Sequence, residues 1–222
     1  MAVVMARANA LPTEFPVFPL PGAVLLPGAR LPLNIFEPRY LAMVEDALGQ
    51  GRVLGMIQPD AMRPPAPTGP GLYRVGCLGR INSFSETEDG RFLITLSGVT
   101  RFAISVELEM QRGYRRIRAE FSRFGRDLQS DPDTYQVDRE GLLEALRAYF
   151  TVRGFEANWD AIDEMPDATL VSTLAMVCPF EPAEKQALLE APNTAERSAA
   201  LLALLAMGAH EPEAGEPGRA PS

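Results

Sequence analysis

Only one histidine, His210, and one lysine, Lys185, occur in the 222 residues, against 20 arginines. Cysteine appears twice, at Cys77 and Cys178, and tryptophan once, at Trp159. Each scarcity excludes a chemistry. A phosphate-cradling loop of the G-x-x-x-x-G-K type needs a lysine directly after glycine, and the sole lysine follows Glu184. A Ser–Lys dyad would need the same lysine. In the short helical run Glu184-Lys185-Gln186 it reads as a solvated surface charge. A Ser–His–Asp triad would need His210, at the edge of a Pro-, Gly- and Glu-rich tail. A catalytic base must be held within hydrogen-bond reach of its proton, and a chain end does not hold it there. The cysteines lie 101 positions apart, so they match neither zinc spacing nor a C-x-x-C pair. They read as two reduced, buried thiols. No catalytic residue, cofactor or metal site is expected.

Long apolar runs are missing too. Ala199–Ala206 is too short to span a bilayer. The start, MAVVMARANALPTEFP, lacks the basic n-region and the apolar h-region of a signal peptide. The expectation is a cytoplasmic chain that does not enter membranes.

What is present suits a folded protein. Hydrophobic residues make up 46% and charged residues 23%, and a chain of this length buries a core without disulfide or metal staples. One large or two small domains fit. The net charge is −8, a poor starting point for neutralising phosphates. The charge is uneven. Residues 1–128 carry 15 arginines and 12 acids, while residues 129–222 carry six basic and 17 acidic residues. Proline is uneven as well: twelve of 20 lie in residues 1–70 and none in 71–131. Because proline cannot donate to a β-ladder, the first stretch reads as short extended pieces and the second as the longer strands.

Thr13–Leu20 predicts an edge strand, and Val24–Pro27 and Arg30–Phe36 predict short extended runs. Pro38 opens a helix in which Tyr40, Leu41, Val44 and Leu48 keep helical spacing. Arg52–Gln58 predicts a strand, and Asp60–Gly71, with Pro64, Pro65, Pro67 and Pro70, a surface loop. Tyr73–Thr87 and Arg91–Ser97 predict a hairpin around Asp89-Gly90. Gly98 is expected to turn the chain again, before Val99–Met110 and Tyr114–Phe121. After Asp131 the period becomes helical, with Pro179 ending one helix and Asn193 with Glu196 capping the last. The boundaries expected are a β subdomain over 11–128, a helical bundle over 129–209 and a disordered tail over 210–222.

Three clusters invite a functional reading. Asp160, Asp163, Glu164 and Asp167 do not fit a calcium loop and read as carboxylates at a helix start. Arg112, Arg115, Arg116, Arg118, Arg123 and Arg126 interleave with Tyr114, Phe121 and Phe124. That composition fits a nucleic-acid surface, a solvated strand face, or an electrostatic contact with the acidic half. The Pro-rich segment with Leu26, Pro27 and Phe36 fits core or a recognition patch.

The motifs, in order, resemble one family. Phe18-Pro19-Leu20-Pro21-Gly22, Val24-Leu25-Leu26-Pro27-Gly28, Leu31-Pro32-Leu33 and Ile35-Phe36-Glu37-Pro38-Arg39-Tyr40-Leu41 resemble the opening of the LON substrate-binding domain, the N-terminal domain of the ATP-dependent protease Lon. Val75-Gly76, Gly79-Arg80-Ile81, Asp89-Gly90-Arg91, Gly98 and Arg101-Phe102 resemble its later strands. Pro179-Phe180, Glu184-Lys185-Gln186, Leu188-Leu189-Glu190 and Glu196-Arg197 are similar to its helical end. The resemblance runs from about residue 11 to about residue 206.

It implies an α+β fold: a PUA-like, mixed but mostly antiparallel β-barrel with one internal helix, followed by a C-terminal helical bundle. It also implies protein or peptide partners, without the ATPase and Ser–Lys protease modules of Lon. The expected function is non-catalytic binding of peptides or unfolded segments, as an adaptor in protein quality control. Leu26, Pro27, Phe36, Arg39 and Tyr40 are the candidate partner-binding residues, beside a cleft expected at the subdomain junction. The alternative is a PUA-like RNA binder using the basic surface of Arg112, Arg115, Arg116 and Arg118. The oligomeric state stays open.

Overall fold

The structure, a computed structural model, describes residues 11–129 and 137–210. In chain order these form β1 (Glu14–Pro19), β2 (Arg30–Ile35), α1 (Pro38–Gly49), β3 (Val53–Ile57), β4 (Val75–Glu86), β5 (Phe92–Gln111) and β6 (Tyr114–Glu120). A 3-10 helix (Ser122–Leu128) follows, then α2 (Arg139–Arg153), α3 (Trp159–Asp163), α4 (Asp167–Val177), α5 (Pro182–Glu190) and α6 (Thr194–His210). The tail expected from 210 onward lies, apart from His210, outside the described residues.

The six strands form one mixed sheet in the order β2-β5-β4-β3-β1-β6, and β5 also pairs with β6. The pairing therefore returns on itself through β5, β4, β3, β1 and β6, with β2 outside that ring. Only β1 and β3 run parallel. The space inside is filled by Phe15, Val17, Val53, Ile57, Leu78, Phe102, Ile117 and Phe121. Phe15 meets Phe102 edge-on at 5.2 Å between ring centroids, a favourable aromatic geometry.

Gly98 does not turn the chain. β5 is one continuous strand of 20 residues through it. The glycine is needed for a different reason: an added Cβ would sit 2.0 Å from the Leu26 carbonyl oxygen. The segment before β2 presses onto the sheet there. Gly28 N–H donates to the Gly98 carbonyl and Gly98 N–H donates to the Ala29 carbonyl, both at 2.9 Å. A glycine inside a strand commonly marks such a close backbone approach.

Two compact units result. The first takes residues up to 134 together with Ser172–Glu190; the second takes Tyr135–Val171 and the chain from Ala191 onward. The division thus departs from a single cut after residue 128. The reason is polar as well as apolar. In the first unit Gln186 on α5 donates to the Val75 carbonyl at 3.0 Å, and Gln58 donates to the Pro182 carbonyl at 2.9 Å. Leu188 and Leu189 are buried beside them.

In the second unit α2 packs on α6. Leu142, Leu146 and Tyr149 face inward on α2, as Leu201 and Leu205 do on α6. Its helix starts are capped as the sequence suggests. Asn193 Oδ1 accepts from Glu196 N–H at 2.9 Å, and Asn193 donates back to the Glu196 carboxylate at 2.9 Å. Two members of the acidic cluster find cations within the second unit, Asp163 standing 3.8 Å from Arg147. Asp167 pairs with Arg139 at 2.6 Å, whose guanidinium also donates to the carbonyls of Ile162, Asp163 and Met165.

Candidate functional site

The five residues singled out near the start of α1 divide by burial. Leu26 lies in the core against Gly98. Tyr40 is buried too, its ring 4.4 Å from that of Phe18, and burial pushes its hydroxyl pKa up. Neither faces solvent, because the first apolar segment is spent sealing the sheet. Pro27 is half-buried. Phe36, however, is 61% exposed, and Arg39 is exposed, paired with Glu37 at 2.8 Å. The outward part of the patch is therefore Phe36 with Arg39.

The four arginines of the candidate basic surface are each matched by a carboxylate of their own unit. Arg112 bonds Glu45 at 2.7 Å and Asp46 at 2.8 Å. Arg115 is buried, donating to Glu107 at 2.6 Å and to the Pro70 carbonyl at 2.7 Å. Arg118 pairs with Glu14 at 2.7 Å, and Arg116 stands 3.8 Å from the same carboxylate. Each of these partners belongs to the first unit. Asp46 also accepts the Tyr114 hydroxyl at 2.7 Å; that bond, with help from Arg112, holds the carboxyl below its usual range, and burial pushes the tyrosine up. This network fastens α1 to the β5–β6 hairpin.

Lys185 corrects its sequence reading. It is 6% exposed, not solvated, and its ammonium donates to the Met176 carbonyl at 2.8 Å, near the end of α4. A cation suits the carbonyls that close a helix. Burial lowers its pKa, against a smaller opposing influence of Cys178. Burial in turn pushes the Cys178 thiol up to about 12, so it is not a ready nucleophile. His210 lies exposed at the end of α6, its Nδ1 2.6 Å from the Ala206 carbonyl oxygen.

A pH dependence follows. The Cys178 pKa is raised in the fold, so the stability it supplies is complete below pH 9.0 and falls as pH climbs toward about 12. Lys185 is lowered, so its burial penalty fades as pH rises toward 10.5, partly opposing that fall. Urea unfolding between pH 8 and 11 should show that the wild type loses stability relative to Cys178→Ala as pH rises above 9.

The outer face of the sheet beside β2 offers a surface that the motif reading passed over. Pro32, Asn34, Ser83, Ser85, Leu93 and Thr95 line a concavity of about 460 Å³ there. The alternation of Phe92, Ile94 and Leu96 was the available signal, since it assigns Leu93 and Thr95 to the other side. A second concavity, about 540 Å³, lies where the proline-rich loop meets β5, lined by Arg63, Leu72, Tyr73, Arg74, Ile104 and Glu107 among others. Among the described residues no three His, Cys, Asp or Glu side chains gather as metal ligands. No described helix is long and apolar enough to cross a membrane.

Comparison with known proteins adds the family. The model of the ATP-dependent protease La (LON) substrate-binding domain matches residues 14–207. Lon protease 2 of Sorangium cellulosum is 32% identical over 133 residues, which are 60% of this chain and 16% of that protein. Lon protease of Heliobacterium modesticaldum is 23% identical over 206 residues, 87% of this chain and 24% of that protein. The chain thus spans under a quarter of the length of these relatives. A Lon N-terminal domain protein from Xanthomonas campestris superposes with a TM-score of 0.55 at 25% identity, covering 86% of this chain and 98% of that one. The N-terminal domain of Mycobacterium avium complex Lon protease superposes with a TM-score of 0.58 at 18% identity, covering 86% and 97%; this likeness is one of fold alone. With its motifs, its mixed sheet with helices and its match over residues 14–207, this chain belongs to the LON substrate-binding domain family.

Proposed function

We propose that this chain is a non-catalytic recognition module that binds peptides or unfolded protein segments and serves as an adaptor in protein quality control. The observation that carries the reading is the family match over residues 14–207. The ring of pairings through β5, β4, β3, β1 and β6 supports reading the sheet as the PUA-like barrel of that family. The state of the reactive side chains supports a role without catalysis: Lys185 is engaged with the Met176 carbonyl and the Cys178 thiol is pushed up to about 12. The carboxylate partners of Arg112, Arg115 and Arg118 favour protein over nucleic acid, because phosphates are neutralised, and their counterions released, by cations not already paired with carboxylates.

The test is fluorescence anisotropy with a permanently unfolded, carboxymethylated reporter protein and its native form. The unfolded form should bind with a dissociation constant of about micromolar, and the native form at least about tenfold more weakly. Equal binding of both, or binding of neither, overturns the reading.

A further inference from the structure

The register of β2, β5 and β4 sorts their side chains onto two sides. Cross-strand partners share a face and neighbours along a strand alternate. Pro32 stands opposite Thr95 and Asn34 opposite Leu93. Ser83 stands opposite Thr95 and Ser85 opposite Leu93. On the inward side Ile35, Ile81, Phe92, Ile94 and Leu96 are buried, while Phe84, opposite Ile94, stays 41% exposed. The outward side lines most of the concavity of about 460 Å³, to which Leu33, Phe84 and Ile94 also contribute.

Its chemistry is specific. Ser83, Ser85, Thr95 and Asn34 offer short donors and acceptors, and none of the nine lining residues is a carboxylate. Leu93 leaves 43% of its surface exposed among them. At one end Arg30, opposite Ser97, is exposed, and its guanidinium makes no hydrogen bond or ion pair among the described residues. At the other end Phe36 lies 5.8 Å from the Arg91 guanidinium, which Asp89 already neutralises at 2.8 Å. From Arg30 to Phe36 is roughly 20 Å of strand, the length of about six extended residues. Arginine and aromatic side chains are enriched at protein contacts.

We propose that this face receives an extended peptide segment carrying an acidic side chain next to apolar ones. Apolar side chains rest on Leu93 and Phe36, a carboxylate meets Arg30, and the segment's backbone finds partners in Ser83, Ser85, Thr95 and Asn34. The acidic preference follows from charge: Arg30 and Arg80, which both stand opposite Ser97, pair with no carboxylate among the described residues. The proposal rests on the protein-segment reading above and adds where the segment lies and which sequences it prefers.

The probes are two fluorescein-labelled octapeptides, one alternating leucine and glutamate, the other leucine and lysine, measured by anisotropy beside the unfolded reporter. The wild type should bind the glutamate peptide about tenfold more tightly than the lysine peptide. Arg30→Glu should erase or reverse that preference, and Leu93→Ser should weaken the glutamate peptide about fivefold or more. Arg74→Glu, an equal charge change at an exposed position away from this face, should leave it unaltered. Thermal unfolding of each variant at the wild-type midpoint shows that the fold is kept. If the unfolded reporter binds but Arg30→Glu and Leu93→Ser hold the glutamate peptide as the wild type does, the site lies elsewhere and this inference fails while the function stands. If neither reporter nor peptide binds, both fail. If the wild type sediments as a dimer that Leu93→Ser converts to a monomer, the face belongs to a second copy and the inference fails.

Discussion

Asp127→Ala is expected to lower stability by about 3–5 kcal/mol, the cost of leaving one partner of a buried ion pair alone. Asp127 and Arg101 are 8% and 5% exposed at their side chains. The carboxylate accepts from the Arg101 Nε at 2.9 Å, its Nη2 at 2.8 Å and its backbone N–H at 2.9 Å. The same guanidinium donates to the Leu189 carbonyl at 3.2 Å and lies 5.0 Å from the Phe124 ring centroid. One side chain thus gathers β5, the 3-10 helix and α5. Removing the carboxylate leaves the cation buried without its counter-charge. For a chain of this size the melting temperature should fall by roughly 6–20 °C. The double variant Arg101→Met with Asp127→Leu should recover much of the loss, since apolar replacement of a buried pair is often tolerated. A loss under about 1 kcal/mol would put the pair on a level with exposed pairs and contradict the assignment.

Gly98→Ala should cost about 3 kcal/mol or more, at the upper end of what overpacking does. The added methyl would lie 2.0 Å from the Leu26 oxygen and 2.7 Å from its carbonyl carbon. Both are backbone atoms and cannot rotate away. Relief requires lifting Leu25 and Leu26, which are fully buried, off the sheet. Chemical denaturation should show the loss, with a midpoint that falls while the slope stays near the wild-type value. Gly90→Ala offers a comparison, because that glycine has open space around it and its strain is only that of a positive φ of 77°. Near-equal effects at both positions would rule out the close approach as the cause.

How far the fold was legible depended on whether the determining interaction was local. The proline-free stretch announced β4, β5 and β6 because the missing N–H is a property of proline itself. The alternation of Phe92, Ile94 and Leu96 announced which side of β5 is covered. Pro38, Asn193 and Glu196 marked helix starts through bonds within one turn. Gly98 misled, because turn glycines and close-approach glycines look alike until the segment pressed against them is known. Lys185 misled for the same reason: its acceptor belongs to another helix, and α5 carries buried Lys185, Gln186, Leu188 and Leu189 side by side, so no polar stripe separates them. The candidate site was half legible. Phe36 was found from its motif and stands exposed, while Tyr40, four residues on, turned inward against Phe18. Arg30 and Leu93 come near one another in meaning only through the β2–β5 register, which no single stretch of sequence states.

The membership of Ser172–Glu190 in the first unit has a consequence for how this domain can be inherited or transplanted. The chain leaves the first unit, returns to it and leaves again, so neither unit is a contiguous block. A fusion, splice or proteolytic cut that preserves residues up to 134 carries off the sheet without the helix whose Gln186 and Leu189 complete it. The smallest piece that travels intact between proteins is therefore the whole arrangement, and domain shuffling is confined to its two ends.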